Sequence, residues 1–242
     1  MPDLPVHYFR GHDGTQLAYR ETGQGRPVIL IHGYFSNATV NWVNYGHAAA
    51  VAGRGFRVIL PDLRGHGDSA KPHEAAAYPP DILADDGFAL IEHLGLISYA
   101  LGGYSLGART TIRMLARGAA PSRAVIAGMG LDGVLHASGR NAHFRSILTQ
   151  LGTFDRRSPE GKAEAFLKST GETVADLLLR VRLNLTSMAI QQRVLAGQTT
   201  EAGREQAIAN FVTSFRSRWR AQTYCLHAFA TRDCGTVVRA SL

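Results

Sequence analysis

The residues best suited to covalent chemistry gather in one pentapeptide, Gly103-Tyr104-Ser105-Leu106-Gly107. The apolar Tyr99-Ala100-Leu101 precedes it and a helical run from Ala108 to Arg117 follows. Together they predict a strand, a sharp turn and a helix, with Ser105 on the turn. No side chain fits beside such a strained turn, so glycine is needed at 103 and 107. Ser105 Oγ would then stand exposed above a sheet at a helix N-terminus, where outward-pointing N–H groups favour negative charge. A serine hydroxyl is a poor nucleophile at neutral pH. Attack on an acyl carbon needs a general base and two converging N–H donors for the oxyanion. In a chain with 26 glycines the pentapeptide alone is a weak signal, and its context must carry the reading.

That context is a regular alternation of strands and helices. Residues 6–10 and 15–21 read as two strands, with Asp13-Gly14 as the hairpin turn between them. Pro27-Val28-Ile29-Leu30-Ile31 and Phe56-Arg57-Val58-Ile59-Leu60 read as strands buried on both faces. The first ends in His32-Gly33-Tyr34, and the second is closed by Pro61-Asp62. Residues 41–52 read as a helix. So do residues 81–94, with Leu83, Gly87, Leu90, Ile91 and Leu94 at helical spacing, Asp81 as N-cap and Gly95 as the stop. Strands follow at 98–104 and 124–128. This rhythm implies a mostly parallel, doubly wound sheet. It ceases at residue 130. Residues 163–170, 173–184 and 186–196 look helical, and 132–200 is expected to be a helical insertion over the strand ends. The alternative is that these helices belong to the outer layers of the sheet.

Composition excludes several classes. The chain has 242 residues, enough for one α/β domain with an insertion. No apolar run approaches the length of a membrane span, and the first residues lack the pattern of a signal peptide, so a cytoplasmic protein is expected. Cys225 and Cys234 make no disulfide framework. The net charge of +7 is concentrated in the tail: residues 211–242 carry five arginines against Asp233, while the remaining 210 residues hold 21 basic and 18 acidic groups. With no basic face elsewhere, neither nucleic acid nor membrane is expected as a partner. No metal cluster or phosphate-binding loop is visible, so no cofactor is expected.

Four features occurring in one order resemble the α/β-hydrolase family. They are the strand ending in His32-Gly33, the loop Asp62-Leu63-Arg64-Gly65-His66-Gly67-Asp68-Ser69, the Ser105 elbow, and a helical cap after the next strand. The resemblance covers about residues 5–205. It implies an α/β-hydrolase core at 1–131, a helical cap at 132–200 and an atypical C-terminal segment at 201–242. It implies Ser105 as nucleophile on a small acyl compound, an ester or a relative of one. The oxyanion donors would be the N–H of Leu106 and, by resemblance, the N–H of Tyr34. Relatives with aspartate at the elbow open halides or epoxides, so serine points to acyl chemistry. His32, His66, Asp62, Arg64 and Ser69 are expected to shape loops and not to supply the base.

The resemblance fades in the tail. The family carries two more strands after the cap, associated with the catalytic acid and histidine. Residues 211–242 are few for two strands and two helices with their loops, so those elements are expected to be missing or altered. Phe211, Phe215 and Trp219 alternate with Arg216, Arg218 and Arg220, which suits an edge strand. A change of reading frame near residue 210 would produce such a break, and translation of the other frames tests that idea. His227 is the only histidine after residue 143 and so the only one in the family's chain order for the base. Asp132, just beyond the strand after the elbow, is the candidate acid. The rival reading is a catalytically impaired member of the same fold that binds a ligand only. An exposed sheet edge would let two copies pair as a homodimer.

Overall fold

The computed structural model describes residues 4–129, 137–171, 219–224 and 235–240, with side chains over 4–129 and 143–171. β1 (Val6–Arg10) and β2 (Gln16–Thr22) form the expected antiparallel hairpin. Gly14 makes its turn at φ 82°, a left-handed conformation that suits glycine. Four parallel strands make the centre: β3 (Arg26–Ile31), β4 (Phe56–Pro61), β5 (Ala100–Tyr104) and β6 (Arg123–Ala127). The last two strands are β7 (Trp219–Tyr224) and β8 (Gly235–Ala240). The sheet order is β1-β2-β4-β3-β5-β6-β8-β7.

The apolar runs fill both faces of this sheet. Val28, Leu30, Val58 and Leu60 face α1 (His47–Ala52) on one side. Ile29, Ile31, Ile59 and Leu101 face the other, against α2 (Ile82–His93) and Met114 of α3 (Leu106–Ala116). Val58, Ile59 and Leu60 are completely buried, and each side chain of this kind stabilises the fold by about 2 kcal/mol. A continuous apolar run is what a strand covered on two sides requires.

Two helical expectations need correction. Residues 41–52 are not one helix. A turn of π-helix, Thr39–Val43, is separated from α1 by Gly46 at φ 76°. The Asn41 side chain leaves the helical pattern to accept the Gly33 N–H at 2.7 Å. Asp81 stands at the N-cap position of α2, but it has φ 72° and no capping bond. Its carboxylate instead takes Arg113 of α3, with Nε at 2.8 Å and Nη2 at 2.6 Å, so a bond between two helices displaces a local cap. Gly95 ends α2 as expected, at φ 59° with its N–H on Glu92 O.

Between β6 and residue 171 the described residues hold two helices. α4 (Ala137–Thr149) has no counterpart in the sequence reading, while α5 (Pro159–Ser169) begins earlier than the expected 163. Ser158 caps α5 by accepting the Gly161 N–H at 2.9 Å, and Pro159 occupies the first turn. The helices expected at 173–184 and 186–196 lie outside the described residues. The C-terminal segment contains two strands, β8 antiparallel to β6 and β7 antiparallel to β8.

Candidate active site

Ser105 sits where β5 meets α3, at φ 52° and ψ −107°, outside the regions favoured by L-residues. Its N–H donates to Ala127 O at 2.8 Å, and its carbonyl accepts the Arg109 N–H at 3.1 Å to open the first turn of α3. The flanking glycines follow from contact distances. A Cβ on Gly107 would lie 2.2 Å from Ile31 O, and one on Gly103 would lie 2.3 Å from the Gly107 carbonyl carbon. β3, the elbow and α3 therefore approach backbone to backbone. Leu106 N–H lies in the first turn of α3, where helix geometry supplies no intrahelical acceptor.

The loop after β3 lies beside this serine. A Cβ on Gly33 would stand 3.4 Å from Ser105 Cβ and 3.0 Å from the Tyr104 ring. His32 is completely buried and fixes the neighbouring peptide. Its Nε2 accepts the Leu63 N–H at 2.9 Å, so Nδ1 carries the proton and donates to Gly33 O at 2.8 Å. With Gly33 C=O turned to His32, the trans peptide directs Tyr34 N–H to the opposite side. Both ring nitrogens of His32 are thus engaged by backbone, and neither faces Ser105 as a base. His66, also fully buried, donates from Nδ1 to Arg64 O at 3.0 Å.

Asp62 joins the two loops. Its carboxylate accepts the N–H of Ala38 at 2.7 Å and of Asp68 at 3.0 Å, and pairs with Arg20 Nη1 at 3.1 Å. Burial pushes the Asp62 carboxyl above its usual range, opposed by these N–H groups and by Arg20. Gly67 at φ 49° is required beside it, because a Cβ there would lie 2.3 Å from Asp62 Cγ. Ser69 Oγ donates to Asp62 O and accepts the Ala18 N–H at 2.9 Å. Arg64 is completely buried between Asp86 and Asp13. These residues are scaffolding that holds the loop after β4 against the loop after β3.

The structure thus brings Ser105 and Leu106 together with the Gly33-Tyr34 segment. Asp132 and His227, the candidate acid and base, lie outside the described residues. Sequence reasoning missed Asn41, which sits within what reads as a helix, and Asp86, which reads as an ordinary helix residue. It also missed the aromatic group Tyr34, Phe35 and Phe144, because Phe144 meets the other two only in the tertiary structure. Among the described residues no three metal-ligating side chains cluster, and no helix is long and apolar enough to cross a membrane.

Comparison with known proteins bears on the same features. The sequence profile of the family described as "alpha/beta hydrolase fold" matches residues 26–202. The chain is 37% identical over 111 residues to an AB hydrolase superfamily protein, YisY, of Bacillus subtilis, covering 46% of this chain and 40% of that one. It is 31% identical over 160 residues to the non-heme chloroperoxidase CPO-A1 of Kitasatospora aureofaciens, covering 62% and 56%. The chain therefore spans about half the length, or less, of these curated relatives. Among solved structures, an esterase from Exiguobacterium antarcticum superposes with a TM-score of 0.53 at 21% identity over 75% of this chain and 74% of that one. The epoxide hydrolase VrEH1 of Vigna radiata superposes at 0.53 with 19% identity, over 78% and 74%. At such identities these structures speak to the fold alone. On the profile match, the parallel sheet and the strained serine turn, the chain belongs to the α/β-hydrolase fold family.

Proposed function

We propose that this protein is a serine hydrolase acting on a small acyl compound, a carboxylic ester or a relative of one, through an acyl-enzyme. The observation that carries this reading is the backbone of Ser105, at φ 52° between two glycines that no larger residue could replace. Strain of this kind is retained where function requires it. Ser105 Oγ attacks the acyl carbon, and the N–H groups of Leu106 and Tyr34 receive the developing oxyanion. His227 takes the Ser105 proton as general base and gives it as general acid to the departing alcohol. It then takes a proton from the water that attacks the acyl-enzyme and returns it to Ser105 Oγ as the carboxylic acid leaves, with Asp132 orienting the ring. Serine at the elbow separates this chain from relatives that carry aspartate there, and the reading needs no cofactor.

The antiparallel course of β8 and β7 favours a second reading. In the family's pattern, parallel strands after the cap carry the acid and the histidine. A fold that keeps the elbow while altering those strands binds an acyl ligand without efficient turnover. A fluorophosphonate probe with intact-mass detection, beside p-nitrophenyl acetate turnover, separates the two readings. The hydrolase reading expects one adduct at Ser105 and turnover of ~1 s⁻¹ or more, both lost in Ser105→Ala. Turnover in the wild type no faster than in Ser105→Ala supports the binding reading.

A further inference from the structure

The loop that carries the Tyr34 N–H is held by polar bonds at its ends. Asn41 and His32 fix Gly33, and Asp62 fixes Ala38. Its middle has an uncommon backbone: Phe35 adopts φ 60°, a left-handed conformation that a bulky aromatic keeps only when its surroundings impose it. Those surroundings come from the cap. The Phe35 side chain is 3% exposed and packs in a cluster with Ile147 and Leu148 of α4 and Leu167 of α5.

One cap residue touches both sides of the donor. The Phe144 ring on α4 stands edge-on to Tyr34, with centroids 5.4 Å apart at 75°, and to Phe35, at 5.2 Å and 80°. Tyr34 and Phe35 stack on each other at 4.6 Å. Tyr34 is bounded on its other side by His66, 6.0 Å away, and by Tyr78. Edge-to-face contacts of this kind have a preferred geometry and fix ring orientation as well as burying area. Tyr34 is thus gripped between the loop after β4 and the cap.

We propose that Phe144 is a positioning residue, whose ring holds the Tyr34-Phe35 backbone so that the oxyanion donor is in place when α4 is seated on the loop. The proposal rests on the reading of Ser105 as nucleophile. It makes the cap part of the catalytic scaffold as well as a cover for the substrate. A misplacement of about 1 Å in such a group costs on the order of a hundredfold in rate.

The test compares wild type with Phe144→Ala, Phe144→Tyr and Leu94→Ala, the last a stability control at the far end of α2. Amide hydrogen exchange of residues 33–38 is read without substrate, the rate of Ser105 modification by the fluorophosphonate is read beside it, and p-nitrophenyl acetate supplies kcat and KM. Phe144→Ala is expected to raise exchange in 33–38 and to lower labelling and kcat by ~10- to 100-fold, with KM little changed. Phe144→Tyr, which keeps the ring, is expected to restore all three readouts. Leu94→Ala is expected to lower the melting temperature while leaving them unaltered. Unchanged exchange in Phe144→Ala overturns the proposal whatever the chemistry. Raised exchange with undiminished labelling overturns it too, because the donor would then not depend on the ring. A wild type that does not label at Ser105 overturns the hydrolase reading instead, and exchange alone then decides whether Phe144 holds the loop.

Discussion

Arg64 has no exposed surface, yet its charge is well met. Asp86 takes its Nε at 3.0 Å and Nη2 at 2.8 Å, Asp13 takes Nη1 and Nη2, and Ala77 O accepts from Nη1. The two carboxylates respond in opposite ways. Hydrogen bonding from Arg64 holds the half-exposed Asp13 far below the usual carboxylate range. For Asp86 burial outweighs the same arginine and lifts it to about 6. The signs of their contributions to stability are therefore opposite. Asp13 stabilises the fold above its unfolded value, and that contribution is lost as pH falls below about 4. Asp86 favours the fold most below about 4, and its contribution is lost as pH rises through about 6. Thermal melts from acid to neutral pH separate them. Asp13→Asn is expected to flatten the loss of stability on the acid side, by less than about 1 kcal/mol because the group is partly solvated. Asp86→Asn is expected to remove the decline between about 4 and 6. An Asp86→Asn melt profile parallel to wild type over that interval contradicts the assignment.

The elbow works as an element because β3, β5 and α3 meet at glycine. Gly107 faces the Ile31 and His32 carbonyls, so a methyl group there meets rigid backbone that cannot turn aside. Gly107→Ala is expected to cost about 3 kcal/mol or more, beyond the usual range for an added methyl in a packed core. Urea denaturation measures it, and a loss below about 1 kcal/mol would mean that the strand and helix separate easily. The same close approach places Gly33 against Ser105, so the stability of the junction and the geometry of the site have one origin. α2 and α3 are tied in turn by Asp81 to Arg113 and by Asp85 to Arg117. The first of these bonds explains why Asp81, at the N-cap position of α2, makes no capping bond.

Among the described residues the sheet has a well-covered centre and two unlike edges. The β1–β2 hairpin lies at one edge, and among the described residues β7 closes the other with no further strand beyond it. An outermost strand presents backbone donors and acceptors on its outer side. We expect pairing of two copies through β7. Sedimentation velocity over a hundredfold range of concentration checks this, a monomer throughout being the contrary result. Hydrogen exchange would locate the contact, since pairing protects β7 amides that are otherwise among the first to exchange.

Residue types alone placed the core strands along the chain, the hairpin turn at Asp13-Gly14 and the serine turn at 105. Each depends on local chemistry: apolar runs covered on two faces, glycine where the backbone must turn left or pack tightly, and Gly95 to end a helix. The loop-shaping role that the family resemblance implied for Asp62, Arg64 and Ser69 has a matching set of buried bonds. Partners distant in sequence were not legible. Asp86 meets Arg64 across 22 positions, Asn41 leaves a helix-like run to hold Gly33, and Phe144 reaches Tyr34 from α4. Nothing in the spacing of those residues announces the meeting. Local sequence biases φ and ψ one residue at a time, whereas these contacts exist only after loops and helices have closed on one another, so the tertiary structure alone decides them.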